Sequence, residues 1–345
     1  MIRVVIANDT VLALEALRRA IATDPTYQLI WTASDGEQAI EKAASDPPDL
    51  MLMDLLMPKV DGVEATRQIM ARSPCAILIV TASVHRNTSK VFEAMGAGAL
   101  DVVKTPALGF AFGREQTERL STARPLLDKM ATARAYLGKS SRKVANRRIN
   151  TVETQQLELP ELIVMGASTG GPKALAKILE QMPAERQTAM VIVQHIDAQF
   201  VSGLTEWLDE RSSLPVRLAK TGDRPTAGRV LVAGGNQHLV LRSDRTLAYR
   251  KAAASDIHKP SIDIFFTSLA QHWPLSSTVG KAVLLTGMGR DGAKGLLALR
   301  AAKWQTIAES EDSCVVYGMP KAAIELGAAN QILNIQAISK VLASS

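Results

Sequence analysis

The sequence predicts two α/β lobes in tandem, each built on a parallel sheet. Three observations predict it. Short apolar runs alternate with amphipathic stretches through residues 3–104, the alternation gives way to a polar, basic stretch, and it restarts past Pro160. Strict strand–helix alternation closes into a parallel sheet covered by helices on both faces. At 345 residues the chain has the length of two domains. With 47% apolar and 21% charged residues, it is neither disordered nor collagen-like.

In the first lobe, Val4–Ala7, Leu29–Ala33, Leu50–Met53, Ala76–Val80 and Leu100–Val103 read as buried strands. Val11–Ala22, Glu37–Ala44, Val63–Ala71 and Thr88–Ala97 carry helical spacing, as in Leu14, Leu17 and Ile21. A further helix is expected over Arg114–Leu137, interrupted or capped near Pro125. The expected boundaries are a first domain over 1–125, a helix end and linker over 126–159, and a second domain over 160–345.

The formal charge of +6 is unevenly spread. Lys129, Arg134, Lys139, Arg142, Lys143, Arg147 and Arg148 fall in a window without an acidic residue, and these seven exceed the net charge of the whole chain. A window of this kind suits an acidic partner or, more simply, a solvated helix end running into a flexible linker. Tyr136 is its single aromatic residue, which argues against a base-stacking nucleic-acid surface. No run approaches the roughly 18 apolar residues of a membrane span. The N-terminus meets Asp9 without an apolar leader, and Cys75 and Cys314 stand too far apart in sequence to form a framework. A reduced, cytoplasmic protein without membrane insertion is expected.

In a parallel sheet, functional groups gather beyond the carboxyl ends of the strands. Those ends carry Asn8-Asp9, Asp54, Thr81 and Lys104-Thr105-Pro106. Carboxylates converging on one edge repel without a counter-ion, and Mg²⁺ with oxygen ligands would relieve them. Asp54 could then attack a phosphoryl donor. The strings Asn8-Asp9, Met53–Pro58 with Asp61-Gly62, Val80-Thr81-Ala82 and Gly98–Asp101 before Pro106 resemble a flavodoxin-like response-regulator receiver domain of five parallel strands. The resemblance implies phosphorylation of Asp54 by a histidine kinase of the CheA type. It also implies phosphoryl contact by Thr81, and Mg²⁺ held by Asp9, Asp54 and the Leu56 carbonyl. Two departures stand out. Asn8 replaces the first of the usual pair of acids, and the usual lysine before proline is Thr105, with Lys104 one residue early. A one-residue shift turns a strand side chain to the other face, so Lys104 fills the role only if the loop changes register.

In the second lobe, Leu162–Met165 reads as a strand, Gly166–Pro172 as a turn and Lys173–Gln181 as a helix. The turn contains G-x-S-x-G around Ser168, a spacing that lifts a hydroxyl out of a sheet edge. Taken alone it is moderately specific, since such a turn also suits phosphate binding. His195 directly follows the predicted strand Ala189–Gln194, and Asp291 follows the strand Ala282–Thr286. A serine becomes nucleophilic through a base whose tautomer is held by a carboxylate, and Ser168, His195 and Asp291 share the edge where that is possible. The order Ser…His…Asp departs from the Ser…Asp…His of α/β-hydrolases. His238, beside Gly234-Gly235-Asn236, reads as a turn residue. His258 reads as loop packing or a substrate rim, and His85 and His272 have no evident partner.

The runs Gly166–Pro172, Gln194-His195-Ile196, Lys259–Asp263, Leu285–Gly292 and Cys314–Pro320 resemble the catalytic domain of the chemotaxis protein-glutamate methylesterases, the CheB family. Ile6–Asp9 and Val103–Pro106 look closest to the methylesterases of Wsp-type surface-sensing systems. The resemblance implies hydrolysis of glutamate methyl esters on chemoreceptors, with release of methanol, and in some members deamidation of receptor glutamines. Ser168 would be the nucleophile, His195 the base and Asp291 its orienter, with oxyanion donors near Thr169 and Met288 and no cofactor for the hydrolysis. The unphosphorylated receiver would cover the catalytic cleft. The alternative is a receiver-linked regulator whose output domain is a nucleotide-binding or adaptor module without esterase activity.

Overall fold

The computed structural model describes residues 1–82, 88–106, 116–137, 160–253, 256, 258–273 and 280–344. His85 and most of the basic window lie outside the described residues. The chain divides into two compact units, Met1–Ser140 and Ser141–Ser345.

The first unit runs β1 (Ile2–Ala7), α1 (Val11–Ile21), β2 (Tyr27–Ala33), α2 (Gly36–Ser45), β3 (Leu50–Asp54), α3 (Gly62–Arg72), β4 (Ala76–Thr81), α4 (Thr88–Ala97), β5 (Asp101–Lys104) and α5 (Gln116–Leu137). Its five strands are parallel in the order β2-β1-β3-β4-β5. Residues 50–53 and 76–81 are wholly buried, because helices cover both faces of the sheet. The order brings the carboxyl ends of β1, β3, β4 and β5 along one edge. Asp61 starts α3 by accepting the Val63 and Glu64 amides, an acidic cap in the β region. At Gly62 an added Cβ would fall 2.0 Å from the Asp54 carbonyl oxygen, so the β3–α3 turn requires glycine there.

Pro125 neither interrupts nor caps the last helix; α5 continues through it to Leu137. The proline removes one helical hydrogen bond, but Leu126, Met130 and Ala133 are buried on the face that follows. Packing of that face outweighs the lost bond. The helix crosses residue 125 as a part of the first unit.

The second unit runs β6 (Leu162–Ala167), α6 (Gly171–Leu179), β7 (Ala189–Gln194), α7 (Val201–Asp209), β8 (Val216–Leu218), β9 (Arg229–Val232), β10 (Gln237–Leu241), β11 (Leu247–Lys251), α8 (Ile262–His272), β12 (Lys281–Leu284), α9 (Ala293–Ala301), β13 (Gln305–Glu309), α10 (Met319–Glu325), β14 (Gln331–Leu333) and α11 (Ile335–Ala343). Seven strands form a parallel sheet in the order β14-β13-β12-β6-β7-β9-β8. The chain leaves β6 toward β7 on one side and returns to β12 on the other, so the strand order reverses at β6. Ligands bind in the crevice beyond such a reversal. The antiparallel hairpin β10–β11 stands outside this sheet and packs on α8. The core joins Val164, Val191, Leu284, Phe265 and Phe266.

Candidate active site

Ser168, His195 and Asp291 follow the carboxyl ends of β6, β7 and β12, three neighbouring strands. The serine sits in a turn tied on several sides. Its amide donates to Thr286 O at 3.0 Å, its carbonyl accepts from the Gly171 amide at 2.8 Å and from Gln194 Nε2 at 2.8 Å. Gly170 holds φ at +78°, and a Cβ there would lie 2.5 Å from Val315. Backbone in that region, with no room for a side chain, requires glycine. A Cβ on Gly287 would stand 2.6 Å from Ser168 Cβ, so the loop after β12 lies directly against the serine.

The His195 amide donates to the Ala167 carbonyl at 2.9 Å, which places His195 beside the residue preceding Ser168. Its ring bonds to Asp291 through Nε2, at 2.8 Å from Oδ2. Asp291 accepts three further hydrogen bonds: Ser261 Oγ to Oδ1 at 2.8 Å, the Ile262 amide to Oδ2 at 2.7 Å and the Asp263 amide to Oδ1 at 3.1 Å. The carboxylate therefore rests on the first turn of α8, where amide donors and the helix dipole favour negative charge. Burial pushes its pKa up, but the His195 bond and charge and the two amides outweigh burial and hold Asp291 well below the ordinary carboxylate range. An ionised carboxylate only accepts, so His195 carries its proton on Nε2. Nδ1 is then the basic nitrogen; it is buried and has no hydrogen-bond partner. Asp291 is thus bonded to His195, and Ser168 stands at the adjacent strand end without a hydrogen bond to that nitrogen. Such bonds often tighten only with substrate in place.

His258 stacks on the His195 ring, with centroids 4.5 Å apart and planes within 2°. Burial, and then the charge of His195, lower its pKa, while Asp291 opposes them. Thr169 is buried and its carbonyl accepts from Thr286 Oγ1 at 3.0 Å. Met288 is 45% exposed and follows Gly287, where an added Cβ would abut Ser168. His238 is not in a turn. It lies on β10, fully buried, with Nε2 2.8 Å from Asp256 Oδ2 and Nδ1 accepting the Ser261 amide at 3.1 Å. The glycines before it end where the β10–β11 hairpin begins, a boundary that local turn chemistry alone does not mark. Sequence reasoning also gave no role to Ser261, although Ser-x-Asp at a helix start is a capping signal.

In the first unit, Asn8 is buried; its Nδ2 donates to Asp54 Oδ2 at 3.1 Å and its Oδ1 accepts the Thr10 amide at 2.9 Å. Burial, with a smaller contribution from the charge of Asp9, raises the Asp54 pKa to about 6 against the Leu55 and Leu56 amides. The charge of Asp9 beside the buried Asp54 carboxylate fits a hard divalent cation with oxygen ligands. Thr81 is buried at the end of β4, and its register partner is Lys104. Asp54 shares its row with Val80 and Val103. Lys104 thus stands one row beyond Asp54, with its side chain exposed, and β5 keeps regular register through it.

Residues 163–342 match the family described as CheB methylesterase, and residues 4–107 match the response regulator receiver domain. A receiver domain implies Mg²⁺-dependent phosphorylation. A Pseudomonas aeruginosa protein named protein-glutamate methylesterase/protein-glutamine glutaminase 3 is 48% identical, covering 99% of this chain and 98% of its own. A Bordetella avium protein of the same designation, numbered 1, is 50% identical over 96% of this chain and 93% of its own. Among solved structures, the Thermotoga maritima CheB methylesterase catalytic domain superposes with a TM-score of 0.50 at 33% identity, covering 54% of this chain and 98% of that one. The chain belongs to the CheB methylesterase family, with a response-regulator receiver ahead of the catalytic domain.

Proposed function

We propose that the chain is a phosphorylation-regulated serine esterase that hydrolyses glutamate methyl esters on the cytoplasmic helices of chemoreceptors, releasing methanol. Ser168 Oγ attacks the ester carbonyl as His195 Nδ1 takes its proton. His195 then delivers that proton to the departing methoxide. Water repeats the sequence on the acyl-enzyme and leaves a free glutamate. Asp291 holds the Nε2–H tautomer and stabilises the imidazolium formed at each proton transfer. The oxyanion faces the Ser168–Thr169 turn and the Met288 loop, which lie against each other. The same steps with ammonia as leaving group convert a receptor glutamine to glutamate, in keeping with the double designation of the relatives.

The observation that carries this reading is the His195–Asp291 pair, with a buried, unpartnered Nδ1 at the strand end beside Ser168. A nucleotide-binding or adaptor output would have no use for it. A fluorophosphonate probe tests the reading by labelling wild type at one serine and leaving Ser168→Ala unlabelled; unlabelled wild type contradicts it.

In the receiver, Asp54 takes the phosphoryl group from a histidine kinase of the CheA type, and Thr81 contacts it. Asp9, Asp54 and the Leu56 carbonyl would hold Mg²⁺, which supplies charge neutralisation for the transfer. Asn8 orients Asp54 through its amide, and Lys104 would take the part of the receiver lysine only if the loop after β5 changed register. The receptor helices place the activity in the cytoplasm. Among the described residues no helix is long and apolar enough to cross a membrane.

A further inference from the structure

Behind Asp291 lies a second buried histidine that the mechanism leaves unused. His238 is 0% exposed on β10, and both of its ring nitrogens are engaged. The Ser261 amide can only donate, so Nδ1, 3.1 Å away, carries no proton. The proton is therefore on Nε2, which donates to Asp256 Oδ2 at 2.8 Å. Asp256 is anchored in turn, since its Oδ2 also accepts the Ala253 amide at 2.8 Å. A ring bonded at both nitrogens cannot rotate, and it sets where the Ser261 amide lies.

Ser261 is the junction. It caps α8, its Oγ accepting the Ile264 amide at 3.3 Å while donating to Asp291 Oδ1 at 2.8 Å. The next two amides, of Ile262 and Asp263, complete the donor set on Asp291. Moving Ser261 therefore moves three of the four donors that orient the carboxylate, and with it the bond to His195 Nε2.

We infer that His238, braced by Asp256, is a positioning residue for the ester hydrolysis: it fixes the Ser261 cap and so the direction in which Asp291 holds His195. The inference rests on the assignment of Ser168, His195 and Asp291 as the reacting set. Misplacing a catalytic group by about 1 Å can cost on the order of a hundredfold in rate, and supporting contacts of this type are where such precision is set.

The test is methanol release by the full chain from a methylated receptor, with kcat, KM and the acid limb of the pH profile measured separately. His238→Leu removes the acceptor. It is expected to lower kcat about tenfold to a hundredfold with KM changed less than about twofold. The acid limb moves to lower pH, because a misdirected Asp291 supports the His195 imidazolium less well. The titratable groups near His195 are Asp291 and the stacked His258, with Asp263 beside Asp291; Lys259 acts on Asp256, and Arg250 pairs with His238 across the hairpin. None of these is altered. His238→Asn offers a carbonyl oxygen to the Ser261 amide and is expected to recover most of the rate and the limb.

Asp256 is one-third exposed, so Asp256→Ala supplies a variant that folds even where His238→Leu does not. It shifts the limb in the same direction with a smaller loss of kcat, and Asp256→Asn, which still accepts from Nε2–H, reverses the shift. A folded His238→Leu protein with the wild-type rate and limb overturns the inference. So does a loss of rate with the limb unmoved and no recovery in His238→Asn, or an Asp256→Ala protein with the wild-type limb. Ser168→Ala run alongside separates the two claims. Methanol release by Ser168→Ala defeats the assignment of the reacting set, whereas an inactive Ser168→Ala beside an unchanged His238→Leu defeats only the positioning role.

Discussion

At the scale of single residues, two carboxylates are driven in opposite directions by their surroundings. Four donors hold Asp291 ionised, although it is buried. Asp291→Asn puts an amide opposite His195 Nε2, which favours the other tautomer and moves the proton to the nitrogen that must act as base. It is expected to lower kcat by about 10⁴-fold, as the same exchange does in other triads, and to lower the melting temperature, because the new Nδ2 also faces the buried Ile262 amide. Asp54 is pushed from 3.8 to about 6, first by burial. Its folded form therefore binds the proton more tightly than its unfolded form. The stability this lends is complete below the unfolded value and is lost as pH rises through about 6. Asp54→Asn is expected to raise the receiver's melting temperature at pH 7 and to leave it near wild type at pH 4; equal shifts at both values contradict the assignment. Ser168 and His195 stand out in the sequence because each directly follows an apolar strand, and Asp291 because it lies in the glycine-rich loop after another. Ser261 and His238 do not, because their importance lies in contacts with residues 18 to 30 positions away.

At the scale of elements, β6, the turn after it and α6 form one device. Gly170 takes a positive φ, Pro172 lies in the first turn of α6, and the Ser168 carbonyl is tied down by Gly171 and Gln194. Gly170→Ala introduces both left-handed strain and a Cβ 2.5 Å from Val315. It is expected to lose most activity, with a destabilisation of about 1–3 kcal/mol by denaturant unfolding. An active, equally stable variant contradicts the account of the turn. This device is legible in the sequence as strand, glycines and proline. The hairpin β10–β11 is not, because an antiparallel pair outside the main sheet breaks the alternation on which the reading rests. Pro125 misleads for the opposite reason: the local rule predicts a break, but buried Leu126, Met130 and Ala133 sustain the helix.

At the scale of the whole molecule, a phosphoacceptor lobe and an esterase lobe share one chain. Each lobe's fold class is readable from alternation alone. Strand order is not, and it is the reversal at β6 that makes the ends of β7 and β12 neighbours of Ser168. A small-molecule phosphodonor with Mg²⁺ is expected to raise the esterase rate of wild type and to leave Asp54→Ala at its basal rate; equal stimulation of both contradicts regulation through Asp54. The proposed hydrolysis rests on one serine, served by His195 and Asp291. It is tested most directly by methanol release from the methylated signalling helices of a receptor, comparing the full-length wild type with Ser168→Ala at equal concentration. The account predicts steady release by wild type and a rate at least about 10³-fold lower for the variant. Release by the variant at a rate near that of wild type would contradict it.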